Sequence, residues 1–156
     1  AGPLGGQKQL SKYKIDCRFN KASIIKQIIL ISSLRKRVIV LFGDALQFLN
    51  NYKEEFEFGD YFLYIDPPYF KQGKNLYRYW FSLQDHVNLS EYLINTTTPW
   101  LVSYDDHEVI RNLYTDHAQF QQIFFDYTAG TRKRTSELLI SNRLIPPLAD
   151  EINQLA

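Results

Sequence analysis

The chain has very little cysteine, no large excess of either charge and no long apolar run. Only one cysteine, Cys17, occurs in 156 residues, which excludes an internal disulfide framework and a multi-cysteine zinc site. The formal net charge at pH 7 is +1, so any contact with nucleic acid must come from local basic patches. The longest apolar stretch, residues 24–34, is interrupted by Lys26 and Gln27 and is too short to cross a bilayer. We therefore expect a reducing, intracellular environment and no membrane span.

Aromatic residues are plentiful, with 11 Tyr and 11 Phe, and 45% of all residues are hydrophobic, which is enough for a sizeable core. The spacing of apolar residues predicts helices over about 21–35, 45–51, 83–95 and 105–115, and strands over about 38–42, 61–65, 99–104, 120–127 and 136–141. Asn20 is the expected N-cap of the first helix, Ser82 and Asp85 are expected to form a capping box at the third, and Asp105 or Asp106 is expected to start the fourth. Because strands and helices alternate until the last two strands, we expect an α/β fold whose sheet is mainly parallel and ends in an antiparallel hairpin.

The segments outside these elements complete the expected organisation. Residues 54–59 are expected to form an acidic loop, and residues 129–135 a basic loop. Residues 1–20 are predicted to be an irregular lead-in, residues 21–145 the main domain, and residues 146–156 a tail.

The most distinctive segment is Asp66-Pro67-Pro68-Tyr69, which directly follows the apolar run 61–65. A strand there would place a carboxylate at its carboxyl end, where open parallel sheets bind their ligands. The two prolines remove two backbone donors and restrict the turn, so the carbonyls remain as fixed acceptors. With the flat tyrosine beside them, these groups suit an amino group on a planar ring. The alternative is a plain proline-rich turn in which aspartate is a local turn former.

Residues 64–69, Tyr-Ile-Asp-Pro-Pro-Tyr, resemble the catalytic motif of Dam-type adenine-specific DNA methyltransferases. Segments on both sides also resemble that family, in the same order: Gly5-Gly6 with Gln9, then residues 13–20, 100–106 and 127–140. The resemblance implies a partial Rossmann-like methyltransferase sheet, S-adenosylmethionine as the cofactor, and double-stranded DNA with a flipped adenine as the substrate. It also implies a cytoplasmic protein, encoded by a bacterium or a phage, within a restriction–modification system or outside one.

One expected family feature is missing from the sequence. Family members carry, upstream, a Phe-x-Gly-Gly type loop that binds the methionine end of the cofactor. No strand followed by such a loop precedes residue 38, and Gly5-Gly6 follow no strand. We therefore expect the chain to correspond to the C-terminal portion of such an enzyme, without the main cofactor loop.

The resemblance implies roles for individual residues. The Asp66 carboxylate and the Pro67 carbonyl would accept the two hydrogens of the adenine amino group, and Tyr69 would stack on the base. Direct transfer needs no covalent intermediate, so Cys17 is expected to be passive. The other residues expected at the substrate are Pro68, Phe70, Tyr127, Lys71, Arg132, Lys133 and Arg134. Tyr127 or Phe70 would face the second side of the base, with core packing as the alternative for each. For the basic loop, a solvated surface is the alternative to a contact with the DNA backbone.

Asp44 and the histidines leave further alternatives. In similar methyltransferases an acidic residue at the position of Asp44 contacts the adenosine portion of the cofactor. The resemblance implies that Asp66 contacts the cofactor as well. The alternative for Asp44 is a helix N-cap. His86, His107 and His117 show no metal-ligand spacing with one another or with Cys17, so no metal is expected, and we expect these histidines to be surface or structural residues.

Two other functions remain open at the level of sequence. A non-catalytic remnant that binds DNA or a partner is one, and methylation of an amide or amine in RNA or protein is the other. Relatives of the second kind usually begin the motif with Asn, so Asp66 argues against it.

Overall fold

The chain forms two structural units in the computed structural model, Ala1–Phe42 and Gly43–Ala156. The structure describes residues 6–8, 10, 12–13, 15–17, 19–71, 73–76, 78–127 and 133–146. Within these ranges no helix combines the length and the apolar character that crossing a membrane requires.

The first unit contains helix α1, Lys21–Ser33, and a 3₁₀ turn over Arg35–Arg37. The predicted N-cap of α1 is confirmed, because the Asn20 side chain accepts a hydrogen bond from the Ser23 amide at 3.1 Å. None of the residues of α1 is buried. The predicted strand at residues 38–42 is wrong: the segment is not part of a sheet, and its five side chains are each more than half exposed. An apolar run becomes a strand only through hydrogen bonds to a neighbouring strand, and none of the described strands pairs with it.

The second unit opens with two short helices, α2 at Ala45–Asn51 and α3 at Lys53–Phe58. Helix α2 matches its prediction, whereas the acidic loop expected at residues 54–59 is wrong because α3 occupies most of it. The helix is favoured by Glu54 and Glu55 in its first turn, where the helix dipole stabilises negative charge. Phe56 anchors it through burial in the core.

A four-stranded sheet forms the centre of this unit, with the order β1-β2-β4-β3. The strands are β1 at Leu63–Ile65, β2 at Trp100–Asp105, β3 at Gln119–Tyr127 and β4 at Lys133–Ser141. Strand β1 is parallel to β2, whereas β4 runs antiparallel to both β2 and β3. The mixed α/β class and the terminal hairpin are thus confirmed. The expected parallel majority is wrong for the described strands, because residues 38–42 add no parallel strand and β4 inserts between β2 and β3.

The described part of this unit contains three further helices: α4 at Gly73–Leu76, α5 at Leu83–Asn95 and α6 at Glu108–Tyr114. The predicted capping box of α5 is confirmed, with Ser82 and Asp85 exchanging side-chain to backbone hydrogen bonds. The predicted start of α6 at Asp105 or Asp106 is wrong. Asp105 still belongs to β2, and His107 is the N-cap, its Nδ1 accepting from the Val109 amide at 3.2 Å.

The core lies around β2, whose Trp100, Val102 and Tyr104 are fully buried. Helices α5 and α6 and strand β4 supply the other fully buried apolar side chains, which are Leu93, Ile110, Tyr114, Leu138 and Ile140. The central strand is therefore the most strongly fixed part of the unit.

His86 on α5 is a buried polar group within this core, in keeping with the expected structural role. Its Nδ1 lies 3.0 Å from the Tyr104 hydroxyl, while its buried Nε2 has no hydrogen-bond partner among the described residues. The rings of Phe70 and Phe81 each lie 5.3 Å from the imidazole. Burial lowers the pKa of His86, and the nearby Asp105 and Asp85 carboxylates oppose that shift only in part.

We predict that His86 makes the protein less stable in mild acid. Because the folded-state pKa lies below the ordinary value of 6.5, the unfolded chain binds a proton first as the pH falls. The free energy of unfolding should therefore decrease from about pH 6.5 down to the folded-state pKa, by at most about 1.4 kcal/mol per pH unit. Denaturant titrations at several pH values measure this. His86→Gln, which can still bond Tyr104 but does not titrate, should have a flatter profile; parallel profiles would contradict the prediction.

Candidate functional site

The turn that follows β1 carries the Asp-Pro-Pro-Tyr segment at the carboxyl end of that strand. Asp66 is exposed, Pro67 is buried, and Pro68, Tyr69 and Phe70 are half-buried. The last pair between β1 and β2 is Ile65 with Val102. The turn therefore begins while β2 continues for three more residues. The strand therefore presents one reachable carboxylate beside a fixed proline.

A short chain of hydroxyl groups holds the Asp66 carboxylate. The Ser103 hydroxyl donates to Asp66 Oδ1 at 3.0 Å, and the Tyr64 hydroxyl lies 3.2 Å from Ser103 Oγ. Since serine has a single hydroxyl hydrogen, Tyr64 is the donor to Ser103. No described residue donates to Asp66 Oδ2, which leaves that oxygen for a ligand.

Two carboxylates of neighbouring strands hold the rest of the turn. Asp105 on β2 accepts from the Phe70 amide at 2.7 Å and from the Lys71 amide at 2.9 Å. Glu137 on β4 accepts from the Tyr69 hydroxyl at 2.6 Å. The turn is thus tied both to the central strand and to the terminal hairpin.

The Phe70 ring points toward the core rather than away from it. Its centroid lies 4.6 Å from that of His107 and 5.3 Å from that of His86, and it packs against the core cluster. Core packing is therefore the role that these contacts support, and stacking on a base stays a prediction for this residue.

An apolar cavity of about 470 Å³ lies beside the turn. Its lining includes Ala45 and Leu46 from α2 together with Asp66, Pro67 and Pro68. Asp44, next to Ala45, is the N-cap of α2 and accepts from the Gln47 amide at 2.7 Å. The N-cap interpretation of Asp44 is confirmed, and its cofactor role stays a prediction. The cavity brings the start of α2 and the Asp66 turn together.

Basic side chains follow the turn along the chain. Lys71 is exposed. Lys74 Nζ lies 4.7 Å from the centre of the Trp80 ring, and the guanidinium carbon of Arg78 lies 5.7 Å from the centre of the Tyr79 ring. Among the other predicted substrate residues, Arg132 lies outside the described residues, as do the side chains of Tyr127, Lys133 and Arg134.

Three supporting residues were not assigned to the site from sequence: Ser103, Asp105 and Glu137. Asp105 stands at the end of a strand, where ligand sites are expected. The sequence also allowed it to start the following helix, and that interpretation competed with a place in the site. Ser103 and Glu137 carry no local signal. Among the residues that the structure describes, no group of His, Cys, Asp or Glu could hold a metal ion, and Cys17 is exposed.

One comparison with known proteins gives a match. The model of a family described as D12 class N6 adenine-specific DNA methyltransferase matches residues 8–129. This range contains the Asp66 turn, Ser103 and Asp105, and it ends before Glu137. No curated protein matches the chain.

We predict that Ser103 couples Tyr64 to Asp66. Ser103→Ala removes a buried hydroxyl that makes two hydrogen bonds, and should lower the free energy of unfolding by about 1–2 kcal/mol. Tyr64→Phe removes only the outer bond and should cost about 0.5–1 kcal/mol. Urea denaturation of both variants and of the double variant measures the coupling. Strictly additive effects would show that the two hydroxyls act independently.

Proposed function

The chain belongs to the D12 class N6 adenine-specific DNA methyltransferase family, and from that membership we propose that it transfers a methyl group from S-adenosylmethionine to the exocyclic amino nitrogen of adenine in duplex DNA. The observation that carries the proposal is the Asp66 carboxylate, exposed at the carboxyl end of β1, oriented by Ser103 and followed by the buried Pro67.

The chemistry requires the amino nitrogen to become a better nucleophile. Its lone pair is delocalised into the adenine ring, and acceptors for both amino hydrogens would localise that pair on nitrogen. We assign these acceptors to Asp66 and to the Pro67 carbonyl. As positive charge grows on the nitrogen, acceptors already fixed in place stabilise the transition state more than the ground state. The proton that the nitrogen then loses can pass to solvent through the exposed Asp66 carboxylate.

The cavity beside the turn fits a cofactor of this kind in size and character. Ligand sites of this class enclose several hundred Å³ with mostly apolar walls and few polar groups, and the cavity of about 470 Å³ has apolar walls and the Asp66 carboxylate in its lining. S-adenosylmethionine, when bound, supplies an electrophilic methyl group on a sulfonium. We propose that Asp66 faces that positive charge, and that Asp44, beside the cavity-lining Ala45, contacts the adenosine portion.

The DNA side of the proposal follows from the exposure of Asp66. A base inside a duplex cannot reach this carboxylate, so the target adenine must be flipped out of the stack. We propose that it stacks on Tyr69 and that Pro68 lies beside it. Because Phe70 is packed against His86 and His107, we assign the second face of the base to Tyr127.

The remaining assignments concern the DNA backbone and the fold. We propose phosphate contacts by Lys71, which follows the Asp66 turn, and by Arg132 together with the first two residues of β4, Lys133 and Arg134. We further propose that the four strands belong to a Rossmann-like methyltransferase sheet, and that the protein acts in the cytoplasm on bacterial or phage DNA.

We predict that Asp66→Asn lowers kcat for methyl transfer by at least about 100-fold, since a preorganised polar group at the reacting centre is removed. The measurement is transfer of a tritiated methyl group to duplex DNA, with the product identified as N6-methyladenine. Asp60→Asn, which changes an exposed carboxylate before β1, is the matched control and should retain wild-type activity. Normal methylation by Asp66→Asn would refute the mechanism. DNA binding by the wild type without methylation would instead favour a non-catalytic DNA-binding protein.

We predict that Tyr69→Ala weakens binding of the flipped base. Loss of base–aromatic stacking is worth about 1–3 kcal/mol, so kcat/KM for DNA should fall roughly 5- to 150-fold. Phe58→Ala removes an aromatic ring that is 89% exposed and does not line the cavity beside the turn, and it serves as the control. Fluorescence of 2-aminopurine at the target position reports the flipped base directly. Equal fluorescence and equal kcat/KM in the two variants would contradict a stacking role.

A further inference from the structure

We propose that Asp105 and Glu137 act as positioning residues, forming a two-point clamp that fixes the Tyr69 ring; this inference rests on the proposed function. One point of the clamp holds the backbone immediately after Tyr69, and the other holds the end of its side chain. Neither carboxylate is assigned to touch the substrate.

The first point is the Asp105 carboxylate, which uses both oxygens on successive amides. Oδ1 accepts from Phe70 N at 2.7 Å and Oδ2 from Lys71 N at 2.9 Å. Two hydrogen bonds to one charged group fix both the position and the orientation of the peptide segment. The Gly73 amide also donates to the Tyr69 carbonyl at 2.8 Å, so the backbone around Tyr69 is held from both sides.

The second point is the 2.6 Å hydrogen bond from the Tyr69 hydroxyl to Glu137 Oε1. This bond joins groups 68 residues apart in the chain, so it can form only after the terminal hairpin has docked on β2. With its backbone and its hydroxyl both held, the Tyr69 ring has lost its rotational freedom before any base arrives. A stacking surface fixed in advance binds its partner at a smaller entropic cost.

The two carboxylates are coupled through the sheet. Asp105 and Glu137 are directly opposite each other in the antiparallel pairing of β2 with β4, where like charges are destabilising. The Tyr69 turn supplies three donors to these two groups, which offsets the repulsion. Docking of the turn thus offsets the repulsion between the two carboxylates, and removing the charge of either one removes that repulsion for the other.

The experiment compares Asp105→Asn, Glu137→Gln and Tyr69→Phe in the full chain. Asp105→Asn keeps the shape but presents an NH₂ group to one of the two amides, and Tyr69→Phe keeps the ring but loses the hydroxyl. Asp106→Asn is the matched control: the adjacent carboxylate pairs with Arg111 on α6 at 2.7 Å and makes no hydrogen bond to the described residues of the turn. Hydrogen exchange of the amides of Phe70 and Lys71 is the readout that does not depend on activity.

We expect the Phe70 and Lys71 amides to exchange faster in Asp105→Asn than in the wild type, and at the wild-type rate in Asp106→Asn. The two variants should lose similar amounts of thermal stability. Methylation kcat should fall on the order of 10- to 100-fold in Asp105→Asn, the effect of a small misplacement of a binding group. Glu137→Gln and Tyr69→Phe should show smaller, similar decreases, with KM for S-adenosylmethionine unchanged in all three. Unchanged exchange in Asp105→Asn, or faster exchange with wild-type kcat, would overturn the clamp. An inactive wild type would overturn the proposed function, while the exchange data would still decide whether Asp105 holds the turn.

Discussion

The site depends on the parallel pairing of the short strand β1 with the longer, buried strand β2. Trp100, Val102 and Tyr104 fix β2 in the core, and the pairing ends where Ile65 meets Val102. Strand β2 then continues to Asp105, three residues past the last pair. This overhang supplies the Ser103 hydroxyl to Asp66 and the Asp105 carboxylate to the Phe70 and Lys71 amides, so a buried, closely packed strand holds both ends of the turn.

The elements with local signals could be predicted from the sequence. The capping box at Ser82 and Asp85, the Asn20 cap and the terminal hairpin need only neighbouring residues, and each is present as expected. The errors have a different origin. Residues 38–42 have a strand-like composition, but a strand requires a partner that composition cannot supply. The Glu-rich segment of α3 looks like a solvated loop until burial of Phe56 gives the helix an anchored face.

The candidate site shows the same division between local and distant information. Asp66 and Tyr69 could be predicted as candidate site residues because one tetrapeptide carries the signal. Asp105 could not be placed, because an aspartate after a strand can either cap the next helix or reach a distant turn. The structure resolves that competition in favour of the turn: His107 caps α6, and the Asp105 carboxylate bonds to amides 34 and 35 residues away.

Under the proposed function, an acidic site must serve a substrate that is a polyanion. Asp105 and Glu137 each accept hydrogen bonds from the turn, whereas Asp66 stays exposed. A phosphate group is repelled by that carboxylate, but an amino group with two hydrogens is attracted. Lys71 is exposed five residues further along the chain, and it is this residue that we propose to contact the DNA backbone. Under the proposed function, the arrangement would therefore select the neutral, hydrogen-donating edge of a base over the charged backbone that carries it.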